Sequence, residues 1–324
     1  MPKTEKSQQP VALGPQSTER RIPWPDGVQC PVIFNFHPDG EALAIALDKE
    51  NVNRPCTQTM YTYGPRVGVQ RILRLLKKYD IRASFYCTAI TAERHPYMID
   101  WIAEGGHEIG CHGYTHDWPN WLSPELEVEH LDRQLEVLQR MSGQKIRGYI
   151  SPGWEYSNQT LDLLVDRGFE FSGDWLGEDV PYYVEIDGKQ SNFVAVPVNW
   201  TLDDAPLYWF ALFPPLNYGS PYAQPSRVLE LWTSEFDALY EEGAPFHLTA
   251  HPFLSGRGCR VKTLENLIQY MMKRPGVKFC TMSEMVDMYR QVVTPEQGRP
   301  GAWFPAKGDQ GPRAVQVEGV PYFK

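Results

Sequence analysis

The alternation of short strand-forming runs with amphipathic segments is the feature of this chain that most constrains its fold. Residues 32–36, 83–87 and 108–111 are runs of this kind, and helical periodicity follows each of them after a polar loop. Similar units continue to residue 292. Repeated strand, loop and helix units favour a parallel sheet covered by helices, and their number favours a barrel over an open sheet. The sequence therefore predicts an α/β fold of the barrel type.

Polar and turn-forming segments bound the predicted barrel. Residues 1–27 are predicted to be a polar N-terminal arm, residues 28–293 the catalytic barrel, and residues 294–324 a C-terminal arm rich in Gly and Pro. Residues 42–65 are predicted to be a long irregular connection, and connections of that length are uncommon unless they are functional. Because no internal repeat and no linker divides the chain, we expect one catalytic domain with two arms.

Charge and composition exclude several classes of protein. The 324 residues carry a formal net charge of −9 without a basic run, so neither nucleic acid nor an anionic membrane is an expected partner. The polar N-terminus has no apolar signal segment, and no apolar run approaches the length of a membrane span. Six scattered cysteines without a C-x-x-C motif favour reduced thiols. These features predict a cytoplasmic location.

Two histidines that lie four residues apart, His112 and His116, directly follow the run 108–111. Imidazoles at this spacing can bind one divalent ion, although the pair alone does not exclude two unrelated histidines. Asp39 follows the first predicted strand and would complete a His₂Asp set, which leaves positions open for water as in catalytic metal sites. Asp39 also lies in a Pro-Asp-Gly tripeptide that favours a turn, so a purely conformational role is an alternative.

A second pair at the same spacing, His247 and His251, has a different explanation. These residues fall in a predicted strand, where residues four apart are separated by about 13 Å along the strand. They cannot share one ion whose ligands lie at roughly 2.1 Å. We therefore predict that only His251, at the end of the strand before Pro252, belongs to the site, as a general acid or base. His247 is predicted to be a core residue.

The order of these motifs resembles the NodB-type polysaccharide deacetylases, carbohydrate esterase family 4. In that family a first strand ends in two aspartates, a His-x-x-[Ser/Thr]-His pattern follows, and a late Leu-x-x-His supplies an acid. The corresponding segments here are residues 37–41, 112–116 and 248–251. The resemblance is closer to the branch of Helicobacter peptidoglycan deacetylase-like proteins, allantoinases and cyclic-imide hydrolases. The motifs similar to that branch occupy residues 106–116, 152–157, 181–183, 199–204 and 251–252.

This resemblance implies a fold and a set of roles. The implied fold is a distorted (β/α)7 barrel, the NodB homology domain, which spans roughly residues 28–292. The implied metal ligands are Asp39, His112 and His116, and the implied general acid is His251. A homo-oligomer is also expected, from the family likeness and from the terminal arms.

The chain departs from the family pattern at the catalytic base. His37 occupies the position of the family's base aspartate, and residues 150–154 replace the Arg-x-Pro motif that usually orients that base. We predict first that His37 is the base, since a neutral imidazole titrates near pH 6.5. A fourth metal ligand or a substrate contact are the alternatives for His37. Glu155 and Glu41 are further candidates for the base.

Residues of the neighbouring loops are predicted to bind the substrate. Trp154, Trp200 and Tyr182 are candidates for the wall of the pocket, with ordinary packing in the barrel as an equally open alternative. Glu41 is predicted to contact the substrate as well as being a candidate base. The loops around the predicted site are aromatic, which favours an enclosed pocket over an open groove with exposed sugar platforms.

The predicted reaction is metal-assisted hydrolysis of a carbon–nitrogen bond other than a peptide bond. A divalent ion activates water and polarises the amide carbonyl, a base accepts the proton of the water, and His251 protonates the departing nitrogen. Zinc is the first choice of ion for a His₂Asp set, with Co²⁺, Ni²⁺ or Mn²⁺ as alternatives. The predicted substrate is a small linear or cyclic amide or imide. The alternatives are an N-deacetylase of an N-acetylated sugar or peptidoglycan, and a degenerate, non-catalytic ligand-binding protein.

Overall fold

Nine strands form one curled sheet in the computed structural model, which describes residues 21–186, 189–209 and 223–295. The strands are β1 Cys30–Phe36, β2 Ser84–Cys87, β3 Glu108–Cys111, β4 Gly148–Tyr149, β5 Phe171–Trp175, β6 Tyr182–Ile186, β7 Lys189–Pro197, β8 Phe246–Ala250 and β9 Val277–Cys280. Their order in the sheet is β6-β7-β5-β4-β3-β2-β1-β8, and β9 pairs with the first half of β1. All of these pairings are parallel except that of β6 with β7.

Helices alternate with these strands along the chain, as the sequence predicts. The α-helices of the described residues are α1 Gly40–Leu47, α2 Pro55–Tyr63, α3 Val69–Lys78, α4 Ala89–Arg94, α5 Pro96–Glu104, α6 Pro124–Ser142, α7 Thr160–Asp166, α8 Asp204–Tyr208, α9 Pro225–Glu242, α10 Pro252–Ser255, α11 Gly258–Met271 and α12 Met282–Val292. Parallel strands joined by helical crossovers place all strand carboxyl ends at the same edge of the sheet. The loops at that edge carry the predicted site residues.

The side chains of each strand alternate between the helical layer and the interior of the curled sheet. On β1, Phe34 joins the apolar cluster that packs against the helices, whereas Ile33 belongs to an interior cluster with Tyr86. The two-residue period of a strand puts Asn35 and His37 on the same face as Ile33. All residues of β1 are buried, so both faces of this strand are covered. A polar pair, Asn35 and His37, therefore lies inside the barrel at the carboxyl end of a central strand.

The sheet curls through seven parallel strands, from β7 to β8, but a full ladder does not join those two ends within the described residues. A single parallel bridge links Asp203, just after β7, to Thr249 of β8. The Nδ1 atom of His247 lies 3.1 Å from the carbonyl oxygen of Pro197 across the same seam. The predicted distorted (β/α)7 barrel is thus confirmed, and its distortion is this seam.

One expectation about local structure was wrong. Residues 42–65 are not irregular, because α1 and α2 occupy most of this stretch, joined by a short 3₁₀ turn at Lys49–Asn53. Asn51 fixes that turn by donating from Nδ2 to the carbonyl oxygen of Ala44, at 2.8 Å. In addition, β6 was not predicted from the sequence; it pairs with β7 in the antiparallel direction at the edge of the sheet.

The described part of the predicted N-terminal arm packs on the barrel. Ile22 and Trp24 are buried, and the indole Nε1 of Trp24 donates to the carbonyl oxygen of Gly243 at 2.7 Å, at the end of α9. Residues 1–20 of that arm, and residues 296–324 of the predicted C-terminal arm, lie outside the described residues. The boundaries of the two arms and of the catalytic domain stay predictions.

All six cysteines fall in the described part of the chain and are free thiols, four of them buried. Within the same residues, no helix combines the length and apolar character that crossing a bilayer requires.

Glu170 holds a cluster of cations that ties the strands to α12. Its carboxylate accepts from Lys145 Nζ at 2.9 Å, Arg147 Nη2 at 2.8 Å and Arg290 Nη1 at 2.7 Å. The Arg147 guanidinium, with help from the other two cations, holds the pKa of Glu170 well below its usual range. We expect Glu170→Gln to lower the free energy of unfolding by about 1–2 kcal/mol at pH 7, after allowance for solvent screening.

The pH dependence of this loss follows from the sign of the pKa shift. Since the folded pKa lies below the unfolded value, the stabilisation is complete above about pH 4.3 and is lost as the pH falls towards the folded pKa. Urea unfolding of both proteins between pH 7 and pH 3 measures this, and the difference should shrink below about pH 4.3. Glu185→Gln is the control, because Glu185 is exposed and makes no ion pair within the described residues. A difference that is constant over this range would contradict the prediction.

Candidate active site

A cavity of about 110 Å³ lies at the carboxyl ends of the parallel strands. The polar residues in its wall are His37, His112, His116, Asp203 and His251. Its apolar wall includes Leu43, Leu47, Trp118, Trp154, Trp200 and Trp209. The cavity thus combines a few convergent polar groups with an apolar and aromatic wall, which is the usual construction of a small-molecule site.

Asp39 lies at the base of this site, in the turn between β1 and α1. Its side chain is 0% exposed, and neither carboxylate oxygen has a hydrogen-bond partner among the described residues. Burial raises the pKa of the Asp39 carboxyl to about 7, although the nearby charge of His251 opposes the shift. A buried carboxylate without hydrogen bonds is costly unless a cation compensates it. Asp39 therefore has the environment of a metal ligand.

His112 and His116 flank the two oxygens of Asp39. The Nε2 atom of His112 lies 3.6 Å from Asp39 Oδ1, and that of His116 lies 3.7 Å from Asp39 Oδ2. Two ligands of one tetrahedral zinc ion, bound at 2.0–2.2 Å, lie roughly 3.3–3.5 Å apart. These separations are too long for hydrogen bonds and close to those of ligands that share an ion. The distances from Asp39 to each of the two histidines are therefore compatible with ligands of one divalent ion.

The backbone orients both imidazoles. His112 follows β3, and its Nδ1 lies 2.8 Å from the carbonyl oxygen of Ile150, so that Nδ1 donates and Nε2 is directed at Asp39. His116 has a positive φ of 64°, a conformation that non-glycine residues rarely adopt. Strained backbone of this kind clusters at functional sites. Burial lowers the pKa of His116 to about 3, so this imidazole is neutral at physiological pH and able to bind a cation.

His37 directly follows β1, on the side of the chain that faces the barrel interior, and joins the same group. Its Nε2 lies 2.8 Å from Asn35 Nδ2, and its ring centroid lies 4.2 Å from that of His112. Burial and the neighbouring imidazoles hold the pKa of His37 well below its ordinary value. His37 is therefore neutral at physiological pH, which is compatible with a base, a ligand or a substrate contact. The predicted role as the base stays a prediction.

His251 forms a carboxylate–imidazole pair with Asp204, at the start of α8. The Nδ1 of His251 donates to Asp204 Oδ1 at 2.7 Å, and the backbone N–H of His251 donates to both oxygens of Asp204 at 3.0 Å. Burial alone would lower the pKa of His251, but Asp203, Asp204 and Asp39 together raise it to about 10. The imidazole of His251 is thus in its protonated, positively charged form, and its Nε2 lies 3.7 Å from Asp39 Oδ2.

The sequence analysis assigned no role to Asp203 or Asp204, although both lie in a motif that it singled out. The available signal was two consecutive acidic residues at the end of a predicted strand–loop unit. Both residues lie close to His251 because of the seam between β7 and β8. This seam brings Asp204 and His251 together, although they are 47 positions apart in the sequence. His247, by contrast, is buried in β8 away from the cavity wall, in agreement with its predicted place in the core.

Two of the predicted substrate contacts line the cavity. The rings of Trp154 and Trp200 lie 4.2 Å apart at an angle of 40°, and both contribute to the wall. Trp154 has a positive φ of 55° and follows Gly153, whose φ is 69°. A Cβ atom at Gly153 would lie 2.3 Å from the ring of Trp118, so only glycine lets Trp118 lie against this loop. The loop is shaped to pack three indoles around one cavity.

The other predicted contacts lie outside the cavity wall. Glu155 is exposed, and Tyr182 is buried in the edge strand β6. Glu41 accepts from His95 Nε2 at 3.1 Å and from Arg94 Nη1 at 3.3 Å, so its carboxylate is held towards α4. The structure therefore does not bring these three residues to the imidazoles, and their proposed roles stay predictions.

Comparison with known proteins gives consistent similarities. A family model described as polysaccharide deacetylase matches residues 49–172, which include His112 and His116. The peptidoglycan deacetylase of Helicobacter pylori is 30% identical over 249 residues, which cover 69% of this chain and 84% of that protein.

Solved structures extend the likeness to the whole barrel. The crystal structure of a putative polysaccharide deacetylase from Mycobacterium smegmatis has a TM-score of 0.80 at 34% identity, and the match covers 88% of this chain and 97% of that one. The crystal structure of Puue allantoinase has a TM-score of 0.70 at 23% identity, with 88% and 98% covered. The second likeness is one of fold.

Proposed function

The chain belongs to the polysaccharide deacetylase family, hydrolases of carbon–nitrogen bonds other than peptide bonds, and from this premise we propose its substrate and cofactor. We propose that it hydrolyses a small linear or cyclic amide or imide, with a divalent metal ion bound by Asp39, His112 and His116. The observation that carries the proposal is the buried, unpartnered carboxylate of Asp39 between His112 and His116, the two imidazoles that line a small apolar cavity.

The size and the wall of the cavity support a small substrate. Its volume of about 110 Å³ is below the range of roughly 300–1,000 Å³ that is usual for drug-sized ligands. Four tryptophans and two leucines in the wall offer apolar contact, while Asp203 and the histidines offer the polar contacts. A planar amide or imide is of the size and polarity that such a site can enclose.

The charges of the buried groups support a divalent ion. Asp39, Asp203 and Asp204 are each at most 3% exposed, and His251 is the buried group nearby that holds a positive charge. Burial raises the pKa of Asp39 and of Asp203, so the ionised forms of these carboxylates are costly without a nearby cation. A bound divalent cation would offset that cost. Zinc is the first choice for two imidazoles and a carboxylate, and Co²⁺, Ni²⁺ or Mn²⁺ suit the same donors.

The side chains then divide the work of hydrolysis. When bound, the ion would polarise the scissile carbonyl and lower the pKa of water. We propose His37, which is neutral and lines the cavity, as the first candidate to accept a proton. His251 is placed to donate one from Nε2 to the departing nitrogen, because Asp204 holds its Nδ1–H at 2.7 Å. The indole wall limits access of bulk water and so strengthens these polar interactions.

A second candidate function is N-deacetylation of an N-acetylated sugar or of peptidoglycan. The Helicobacter pylori relative is named a peptidoglycan deacetylase. In addition, Trp121 is 53% exposed and stacks on the cavity residue Trp118 at 4.5 Å and 11°. An exposed indole next to the cavity is a surface on which a sugar ring can lie. This feature was not expected from the sequence, which favoured an enclosed site.

We also propose a cytoplasmic location and a homo-oligomeric state. The six free cysteines support a reducing compartment, in which thiols stay reduced. The family likeness and the long terminal segments support association of several copies. Cell fractionation and light scattering of the full chain measure the two properties directly.

Removal of the metal and a substrate panel test the proposed function. We expect a chelator to abolish hydrolysis and added Zn²⁺ to restore it, with hydantoins, imides and ureides turned over faster than N-acetylglucosamine oligomers. Release of acetate from the oligomers, without turnover of the small amides, would favour the second candidate. Tight binding of a panel member without any turnover by the metal-loaded protein would show a non-catalytic binding protein.

A further inference from the structure

His37 lies closer to the metal ligands than a separate base needs to be. We infer that His37 supplies a further nitrogen ligand, so that the ion is held by three imidazoles and one carboxylate rather than by two imidazoles and one carboxylate. The inference rests on the proposed function in one respect, namely that the site binds a divalent ion. It changes the donor set at the position where the chain departs from its family, and it replaces the role of base that the proposed function gives to His37.

The compactness of the group supports this assignment. One potential ligand atom from each of His37, Asp39 and His112 lies within 4.8 Å of the other two, and all three residues are buried. Two ligands of one ion at about 2.1 Å are at most about 4.2 Å apart, so small side-chain movements are enough to bring this trio onto one ion. The centroid of His37 is 4.2 Å from that of His112 but 5.4 Å from that of the predicted acid, His251.

The course of the chain explains why His37 and Asp39 meet. His37 points into the barrel from the end of β1, and the chain then turns at Gly40, which has a positive φ of 57°. A Cβ atom at Gly40 would lie 2.8 Å from the side chain of Thr91, so the turn is packed against α4. Thr91 also donates to the backbone carbonyl of Asp39. This turn returns Asp39 over the end of the strand, next to His37.

Asn35 provides the outer partner that a metal-bound imidazole requires. Such an imidazole usually donates its second N–H to a carbonyl oxygen or carboxylate. The amide of Asn35 lies 2.8 Å from His37 Nε2, and its Oδ1 is buried without a partner. A half turn of the amide, which leaves its shape unchanged, presents that oxygen to an Nε2–H. His37 Nδ1 is then unprotonated and free to bind the ion.

Coordination of His37 narrows the groups that can move protons. Of the titratable residues in the cavity wall, His112 and His116 are already ligands. With His37 added to them, Asp203 and His251 remain. These two lie next to each other, with Asp203 Oδ1 3.7 Å from His251 Nδ1. Proton transfer in the site would then depend on Asp203 and His251 alone, the two residues at the seam between β7 and β8.

The test measures metal binding by the full chain without any substrate. The Kd for Zn²⁺ is measured by competition with a chromophoric chelator for the wild type, His37→Gln and Asn35→Leu. We expect His37→Gln to raise the Kd more than about 100-fold, since loss of an outer partner alone costs roughly 10- to 100-fold. Asn35→Leu should fall in that smaller range. His95→Gln is the matched control, because His95 binds Glu41 away from the cavity.

A second readout counts the imidazoles on the ion. Each imidazole bound to Co²⁺ keeps one exchangeable N–H with a strongly shifted proton signal, so the cobalt protein should lose one such signal in His37→Gln. His251→Gln should lose none. An unchanged Kd and an unchanged number of signals in His37→Gln would overturn the inference and leave the proposed function intact. A wild-type protein that binds neither Zn²⁺ nor Co²⁺ would overturn both.

Discussion

His116→Ala is expected to lose the bound divalent ion and to lower the rate of amide hydrolysis by about 10³-fold or more. His116 Nε2 lies 3.7 Å from Asp39 Oδ2, and no other imidazole replaces it on that side except His251, which Asp204 holds. Metal ions supply several kcal/mol of transition-state stabilisation, and each 1.4 kcal/mol corresponds to about tenfold in rate. Metal analysis of the purified protein and steady-state kinetics measure the two losses.

The control for this experiment is another histidine that lies outside the cavity. His130→Gln changes a half-buried residue of α6 that contacts Tyr114, so its metal content and its kcat/KM should stay near those of the wild type. Circular dichroism of both variants separates loss of the ion from loss of the fold. Full activity in a metal-free His116→Ala protein would contradict the proposed mechanism.

Asp204→Asn is also expected to have a large effect, a fall in kcat of roughly 10³- to 10⁴-fold for an amide substrate. Asp204 does not touch the substrate and acts through His251, so it is a positioning residue. Its carboxylate accepts the Nδ1–H of His251 at 2.7 Å, which fixes the tautomer and keeps a proton available at Nε2. An asparagine amide can present a donor to Nδ1 instead, which disrupts both functions.

Substrates with different leaving groups show whether Asp204 positions an acid or has only a structural role. A nitrogen leaves as an unfavourable anion unless it is protonated, whereas a nitrophenolate leaves without a proton. We therefore expect Asp204→Asn to lower the hydrolysis of an aryl ester much less than that of the matching anilide. The wild-type protein and Asp162→Asn, on the outer helix α7, serve as references. Equal losses for ester and anilide would exclude the positioning of an acid.

Local rules predicted much of the barrel. The strand at 108–111 has the predicted bounds, and α6 begins after the N-cap residue Ser123, whose Oγ accepts the N–H of Leu126 at 3.3 Å. The same helix ends at Gly143, which has the left-handed φ of 67° expected of a C-terminal glycine. These features depend on residues that are adjacent in the sequence, so they can be predicted from local sequence patterns.

Helices without a single apolar face, and a strand that depends on pairing with another strand, could not be predicted from local sequence patterns. The first half of α1, Gly40–Ala44, is buried on all sides, whereas Tyr61 is the one fully buried residue of α2. Neither helix therefore shows the single apolar stripe from which a surface helix is recognised. The edge strand β6 depends on its antiparallel pairing with β7, which local propensity does not reveal.

The types of residue in the site could be predicted from the sequence, whereas several of the contacts between them could not. Spacing and the family resemblance indicated Asp39, His112, His116 and His251, and the structure brings these four together. The partner of His251 was missed because the contact with Asp204 depends on how the two ends of the sheet meet. Glu41 was predicted to contact the substrate from its position after β1, but hydrogen bonds from Arg94 and His95 hold its carboxylate towards α4.

Asp204 and His251 also hold the barrel together at the seam between β7 and β8. Where a complete ladder would join the two strands, Asp204 instead accepts from the backbone and the side chain of His251 and from the hydroxyl of Ser255. Catalytic groups commonly trade stability for activity. Here the same hydrogen bonds hold the seam closed and orient the imidazole of His251, the proposed acid. A variant whose seam is strengthened at other positions should therefore tolerate substitutions at Asp204 better than the unmodified protein. Such substitutions are one route by which a barrel of this kind could acquire a different chemistry.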